Sequence, residues 1–111
     1  MITTHVLDTA LGGPAVGMGV VLEMHKGSDW TRIASGHTDA QGRLTSLVTN
    51  VTVGPGVYRL TFDTGTYYRE VRSFFPEVQV MFKLDEDDGH TGNVHVPLLI
   101  SPFGYSTYRG V

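Results

Sequence analysis

The sequence predicts an all-β domain, a sandwich or a barrel. Short runs rich in β-branched and aromatic residues recur along its 111 residues, and clusters of Gly, Pro, Asp and Ser separate them. Only one stretch reads as helix, and it is short. Residues 5–8 are the first expected strand, and Gly12-Gly13-Pro14 turns the chain out of it. Residues 20–25 and 30–38 follow, divided by Lys26-Gly27-Ser28-Asp29. Asp39-Ala40-Gln41-Gly42 is the next turn, and 44–49 the next strand. Gly54-Pro55-Gly56 leads into 57–63, where alternation is clearest. Tyr58, Leu60 and Phe62 share one face there, with Val57, Arg59 and Thr61 opposite. The helix is expected over 66–72, stopped by Ser73-Phe74-Phe75-Pro76. The last strands are 78–84, 94–101 and 105–109. Pro97 cannot donate to a ladder, so the strand that holds it needs an unpaired side or a break at that point.

The length fits one domain spanning 1–111, and 41% apolar residues suffice for one core. With 17% charge and a net charge of −3, the chain is neither a disordered segment nor a binder of polyanions. No basic stripe points to nucleic acid, and no apolar run is long enough to span a bilayer. Cysteine is absent, so neither a disulfide nor a thiolate takes part. The opening MITTHVLDTA has no basic and apolar leader pattern, and a cytoplasmic protein is expected. Asn50-Val51-Thr52 matches a glycosylation sequon, which without such a leader reads as chance.

Three motifs invite chemistry. Asp63-Thr64-Gly65 is the tripeptide of aspartic proteases, whose paired aspartates share a proton. Three residues are a weak signal, and the plainer reading is a strand-end Asp with Gly65 turning the chain into the helix. The glycines at 12, 13, 17 and 19 lack the spacing and the following helix of a phosphate-binding loop. The five histidines, at 5, 25, 37, 90 and 95, include no His-x-His pair, so no metal site is expected. His25 and His37 read as surface residues. His5 and His95 alternate with apolar residues, so each occupies a face opposite the core side chains or is buried in a contact. The residues alone leave them as hydrogen-bonded packing histidines or as working ones.

Thr4-His5-Val6-Leu7-Asp8-Thr9-Ala10 with Gly13-Pro14-Ala15, Thr38-Asp39-Ala40-Gln41-Gly42-Arg43, and His95-Val96-Pro97-Leu98-Leu99 followed by Ser101-Pro102-Phe103-Gly104-Tyr105-Ser106-Thr107-Tyr108-Arg109-Gly110 change that balance. Together they resemble the 5-hydroxyisourate hydrolases, the enzymatic branch of the transthyretin-like family. Gly56-Val57-Tyr58-Arg59-Leu60 and Phe74-Phe75-Pro76-Glu77-Val78 fit the same family, so the resemblance covers essentially the whole chain. It implies a transthyretin-like β-sandwich of two four-stranded sheets with one short helix. It also implies a homotetramer whose sites lie in a channel between dimers. The implied catalytic residues are His5, Arg43 and His95, with Tyr108, Arg109 and Gly110 binding substrate. The implied reaction is hydrolysis of the small molecule 5-hydroxyisourate, with no metal and no cofactor. The family's other branch is a carrier that binds thyroid hormone in the channel and lacks the catalytic residues. A structural interaction protein is a third reading. Two positions depart from the pattern. Val111 stands where the family ends in serine, and Asn93-Val94-His95 keeps only the second histidine of a common His-Tyr-His.

Overall fold

The computed structural model describes residues 1–45, 47, 54–88 and 93–111. Two sheets face each other. One holds β1 (Ile2–Asp8), β2 (Gly13–Pro14), β5 (Arg43–Leu44), β8 (Val94–Ser101) and β9 (Gly104–Thr107). The other runs in the order β4-β3-β6-β7, from β3 (Gly19–Lys26), β4 (Asp29–His37), β6 (Gly56–Phe62) and β7 (Val78–Leu84), all antiparallel. One helical turn, α1 (Thr64–Tyr67), joins β6 to the segment before β7.

Alternation decides what goes inside. In β1, Ile2, Thr4, Val6 and Asp8 are buried while Thr3, His5 and Leu7 are half-buried on the other face. In β8, Val94, Val96, Leu98 and Ile100 point inward. Across the sandwich they meet Val20, Leu22, Leu60, Phe62 and Val78, none of them more than 2% exposed. Burying each such side chain contributes about 1.5–3 kcal/mol relative to leaving it in water. The hydrophobic interior therefore fixes which face of the β1–β8 sheet is left outside.

β1 begins three residues before the predicted strand because β8 lies parallel to its whole length, from Ile2 opposite Val94 to Asp8 opposite Ile100. Its other edge is shared. β5 pairs at Thr4 and His5, and β2 pairs at Leu7 and Asp8. Between them, Val6 donates its N–H to the Gly42 carbonyl at 2.8 Å and accepts from the Ala15 N–H at 3.0 Å. Gly13-Pro14, read from sequence as a turn, is thus a two-residue ladder. Of the strand expected over 44–49, residues 46, 48 and 49 lie outside the described residues, as do the sequon and His90; the described part begins one residue early, at Arg43, and is strand only as far as Leu44, with Thr45 and Leu47 outside the ladder.

α1 starts earlier than predicted and is shorter. Asp63 caps it, its carboxylate accepting from the Thr66 N–H at 3.1 Å. Thr64 donates its hydroxyl to the Phe75 carbonyl, and the Gly65 N–H donates to the Pro76 carbonyl, both at 2.8 Å. The Asp-Thr-Gly tripeptide is a helix start tied to the next segment. The last strand also ends earlier than predicted, at Thr107. Val94 donates to Met1, and Ile100 accepts from Thr9, so the even-numbered residues of β8 turn their backbone polar groups toward β1. Pro97 faces the opposite edge with no N–H to give, and the β8–β9 ladder stops beside it, at Leu98 opposite Thr107. The Thr107 hydroxyl donates to the Pro97 carbonyl at 2.7 Å, and the chain then leaves the sheet.

Candidate active site

The outer face of the β1–β8 sheet collects the three residues expected to be catalytic. Two registers do this. The antiparallel pairing of β5 sets Arg43 directly opposite His5. The parallel pairing of β8 sets His95 directly opposite Thr3, two residues from His5 on the same face. His5, Arg43 and His95 come from positions far apart in sequence, and each strand has its neighbouring side chains in the core, so none of the three can turn inward without dragging apolar residues out.

A tight turn holds the first two in place. The Asp39 carboxylate accepts from the N–H groups of Gln41 and Arg43, both at 2.9 Å. The backbone closes with Asp39 donating to the Arg43 carbonyl and Gly42 donating to Asp39. Gly42 sits at φ +76° and against the Val6 carbonyl, where no Cβ has room. This geometry delivers the Gln41 carbonyl to His5 Nε2 at 2.9 Å. A carbonyl only accepts, so His5 carries its hydrogen on Nε2, and the neutral ring keeps its lone pair on Nδ1. The hydrogen bond from the Arg43 N–H holds the Asp39 carboxyl below the usual carboxylate range; burial, the next largest effect, opposes it, and the Gln41 N–H and the neighbouring Arg43 and His5 help it.

His95 Nδ1 lies 2.8 Å from the Thr3 hydroxyl. Burial pushes the His95 pKa below the ordinary value of 6.5, and His5 and Arg43 push it in the same direction, against a partial opposing effect of a hydrogen bond to the Thr3 backbone. At neutral pH the ring is uncharged and can take a proton.

The C-terminal residues divide. Gly110 returns to the site: its N–H donates to the His95 carbonyl at 2.8 Å, and a Cβ built on it would stand 2.6 Å from His95 Cδ2. Tyr108 and Arg109 do not reach the histidines within one chain. They line an apolar cleft between β7 and β8, over Val80, Phe82, Val94 and Val96. Arg109 donates to the Asp88 carboxylate at 2.7 Å, and that carboxyl is held low by a hydrogen bond from the Asp85 backbone and by Arg109. The physical reason is the break at Pro97. Once the chain leaves β9, Tyr108 and Arg109 hang over the gap between the sheets. Val111 is fully exposed.

The other described histidines, His25 and His37, stand apart. His25 packs against Trp30 in the second sheet, ring centroids 4.8 Å apart, and His37 ends β4. Among the described residues no three His, Asp or Glu side chains converge on a point that a metal could occupy. Two contributors were not singled out from sequence, Thr3 and the Gln41 carbonyl. Thr3 shares a strand face with His5, which alternation alone could have indicated. The Gln41 contact is a backbone one and leaves no side-chain signal.

The family profile described as HIUase/Transthyretin matches residues 2–110. This chain belongs to that family. It is 44% identical over 112 residues to a 5-hydroxyisourate hydrolase of Salmonella dublin, covering 99% of this chain and 80% of the relative. It is 42% identical over 113 residues to the 5-hydroxyisourate hydrolase of Mus musculus, covering 98% and 93%. Among solved structures, it is similar to the 5-hydroxyisourate hydrolase of Klebsiella pneumoniae, with a TM-score of 0.83 at 33% identity over 99% of this chain and 98% of that one. It is also similar to sea bream transthyretin in complex with thyroxine, with a TM-score of 0.88 at 32% identity, covering 99% and 94%. The transthyretin-like sandwich expected from the resemblance is the fold observed, except that one sheet counts five strands and not four, because the two-residue β2 and β5 share one edge of β1.

Proposed function

We propose that this chain hydrolyses 5-hydroxyisourate to 2-oxo-4-hydroxy-4-carboxy-5-ureidoimidazoline, a step of urate breakdown. The observation that carries the reading is the convergence of His5, Arg43 and His95 on one outer sheet face. The hydrolases of Salmonella dublin and mouse, similar over nearly the whole chain, support the substrate. The ring opens at a lactam carbonyl. One histidine, uncharged, takes a proton from water as the water oxygen bonds to the carbonyl carbon; the C–N bond then breaks, and the other histidine, which enters the step as an imidazolium, gives its proton to the departing nitrogen and is recharged by the proton that the first one took. Both rings are suited to this, each with one nitrogen held and one left for chemistry. Arg43 faces the oxyanion that develops at the carbonyl oxygen, and its planar fork suits that charge. No cysteine is present to form a thioester, so water attacks directly. Of the proposed substrate-binding residues, Gly110 lies on His95, while Tyr108 and Arg109 lie over the β7–β8 cleft, where the Arg109–Asp88 ion pair anchors the tail.

The same reading makes the protein a homotetramer in which two such faces meet across a channel, and sets it in the cytoplasm. The half-buried outer face of β1 and β8 is in keeping with such a channel. The carrier reading draws on the thyroxine complex of sea bream transthyretin. Two imidazoles and a guanidinium on the shared face favour proton transfer over passive binding. The test follows the ultraviolet absorbance of 5-hydroxyisourate, freshly made from urate by urate oxidase, with and without the protein. Faster loss with no added metal is expected. Saturable binding of 5-hydroxyisourate or thyroxine without faster loss would overturn the hydrolase in favour of the carrier.

A further inference from the structure

We propose that Thr3 and Gly110 are positioning residues for His95, a two-sided clamp that fixes its ring and leaves Nε2 as the working nitrogen. A histidine on an open sheet face has two side-chain torsions to lose. A ring free to turn would present Nδ1, Nε2 or a carbon to the substrate, and the proton-transfer geometry would be held only part of the time. Thr3 removes one freedom. It is the direct register partner of His95, its β-branched side chain is stiff at χ1, and its hydroxyl stands 2.8 Å from Nδ1. Its neighbour Thr4 faces the other way and donates to the Val96 carbonyl at 2.6 Å, so β1 and β8 are tied on both faces at this point. That register keeps the Thr3 side chain beside the ring.

Gly110 removes the second freedom. Its N–H holds the His95 carbonyl at 2.8 Å, and its Cα passes so close to the ring that a methyl group would come within 2.6 Å of Cδ2 and 3.2 Å of Cβ and Cγ. The backbone of Gly110 is not left-handed, so the glycine is required by contact with the ring and not by its own conformation. Any side chain there displaces either the tail or the imidazole. Thr3 holds the Nδ1 edge and Gly110 covers the Cδ2 side, which leaves Nε2 as the ring nitrogen not engaged by Thr3. The Gln41 carbonyl does the same for His5 with the nitrogens reversed, since it takes Nε2.

The test joins two readouts on Thr3→Val, Thr3→Ser and Gly110→Ala. One is the tautomer of His95 read from its ring ¹⁵N shifts in the uncleaved, ligand-free protein. The other is steady-state turnover of 5-hydroxyisourate, and only this arm rests on the hydrolase reading. The parent is expected to show one His95 tautomer. Thr3→Val, which keeps shape and β-branching, is expected to show a mixture and to lower kcat by roughly tenfold with KM within about twofold. Thr3→Ser, which restores the hydroxyl, is expected to recover the single tautomer and most of the rate. Gly110→Ala is expected to shift the His95 ring signals and to lower kcat by roughly tenfold or more. A His95 tautomer unchanged by Thr3→Val overturns the Thr3 half of the clamp whatever the rate does. Unshifted His95 signals in Gly110→Ala overturn the other half. A parent that fails to turn over 5-hydroxyisourate defeats the hydrolase reading while the ¹⁵N result still decides the clamp.

Discussion

At the scale of single residues, His95 is the side chain on which most of the site's physics acts. Burial comes first, then the charges of His5 and Arg43, and all three disfavour its protonated form. Its folded acidity constant lies below 6.5, so the folded chain binds fewer protons at this ring than the unfolded chain does. Its effect on stability is therefore neutral above that value and unfavourable as pH falls below it. Removing a neighbouring cation relieves the opposition. In Arg43→Gln the His95 midpoint, followed by the pH dependence of its ring proton signals, is expected to move up toward 6.5. A midpoint that stays put or falls would mean that Arg43 does not face His95 in solution. Val111 lies at the other extreme: it is exposed, and its side chain has nothing polar to offer the substrate, so the tail acts through Gly110 and through the Arg109–Asp88 pair.

At the scale of elements, the turn from Asp39 to Arg43 is the piece on which the site most depends, because one glycine allows it. Gly42→Ala meets a positive φ and the Val6 carbonyl at once, with Pro14 and the Ala15 amide close behind. It is expected to cost about 2–4 kcal/mol of stability, the scale of backbone strain joined to a forced displacement. The loss is measurable as a lower urea midpoint, together with a drop in kcat as the Gln41 carbonyl leaves His5. Parent stability in Gly42→Ala would contradict this account of the turn. The strands themselves were legible from alternation. In 57–62 the sequence shows which residues face in, and Tyr58, Leu60 and Phe62 are indeed the buried set. For His5 and His95 alternation leaves open an outer face or a buried contact, and the register of β1 and β8 places both half-buried on the outer face. What could not be read is whatever depends on a partner strand. Gly13-Pro14 reads locally as a turn and becomes a ladder only because β1 is beside it. Thr3 and His95 are 92 positions apart, and their bond exists through the parallel β1–β8 register, which no local pattern encodes. The short helix was misplaced because the cap is Asp63, a residue that also reads as the end of a strand.

At the scale of the whole molecule, the core decides the function's location. The inner residues of β1 and β8 are packed against the second sheet, and their outer residues are committed to the opposite face, where Thr3, His5, Arg43 and His95 meet. The second sheet's histidines have no part in this. His25 rests on Trp30, whose ring also lies 4.2 Å from the Arg59 guanidinium. Because the proposed site residues lie on the outer face, they can be changed without opening the interior. The most direct measurement of the central claim is the rate of 5-hydroxyisourate loss in His5→Ala, Arg43→Ala, His95→Ala and the control His25→Ala, each checked for unchanged assembly by light scattering. The account predicts that each of the first three falls by roughly a hundredfold or more, the scale of lost acid–base or oxyanion assistance, while His25→Ala stays near the parent. Parent-like rates in the three face variants, or an equal loss in His25→Ala, would contradict it.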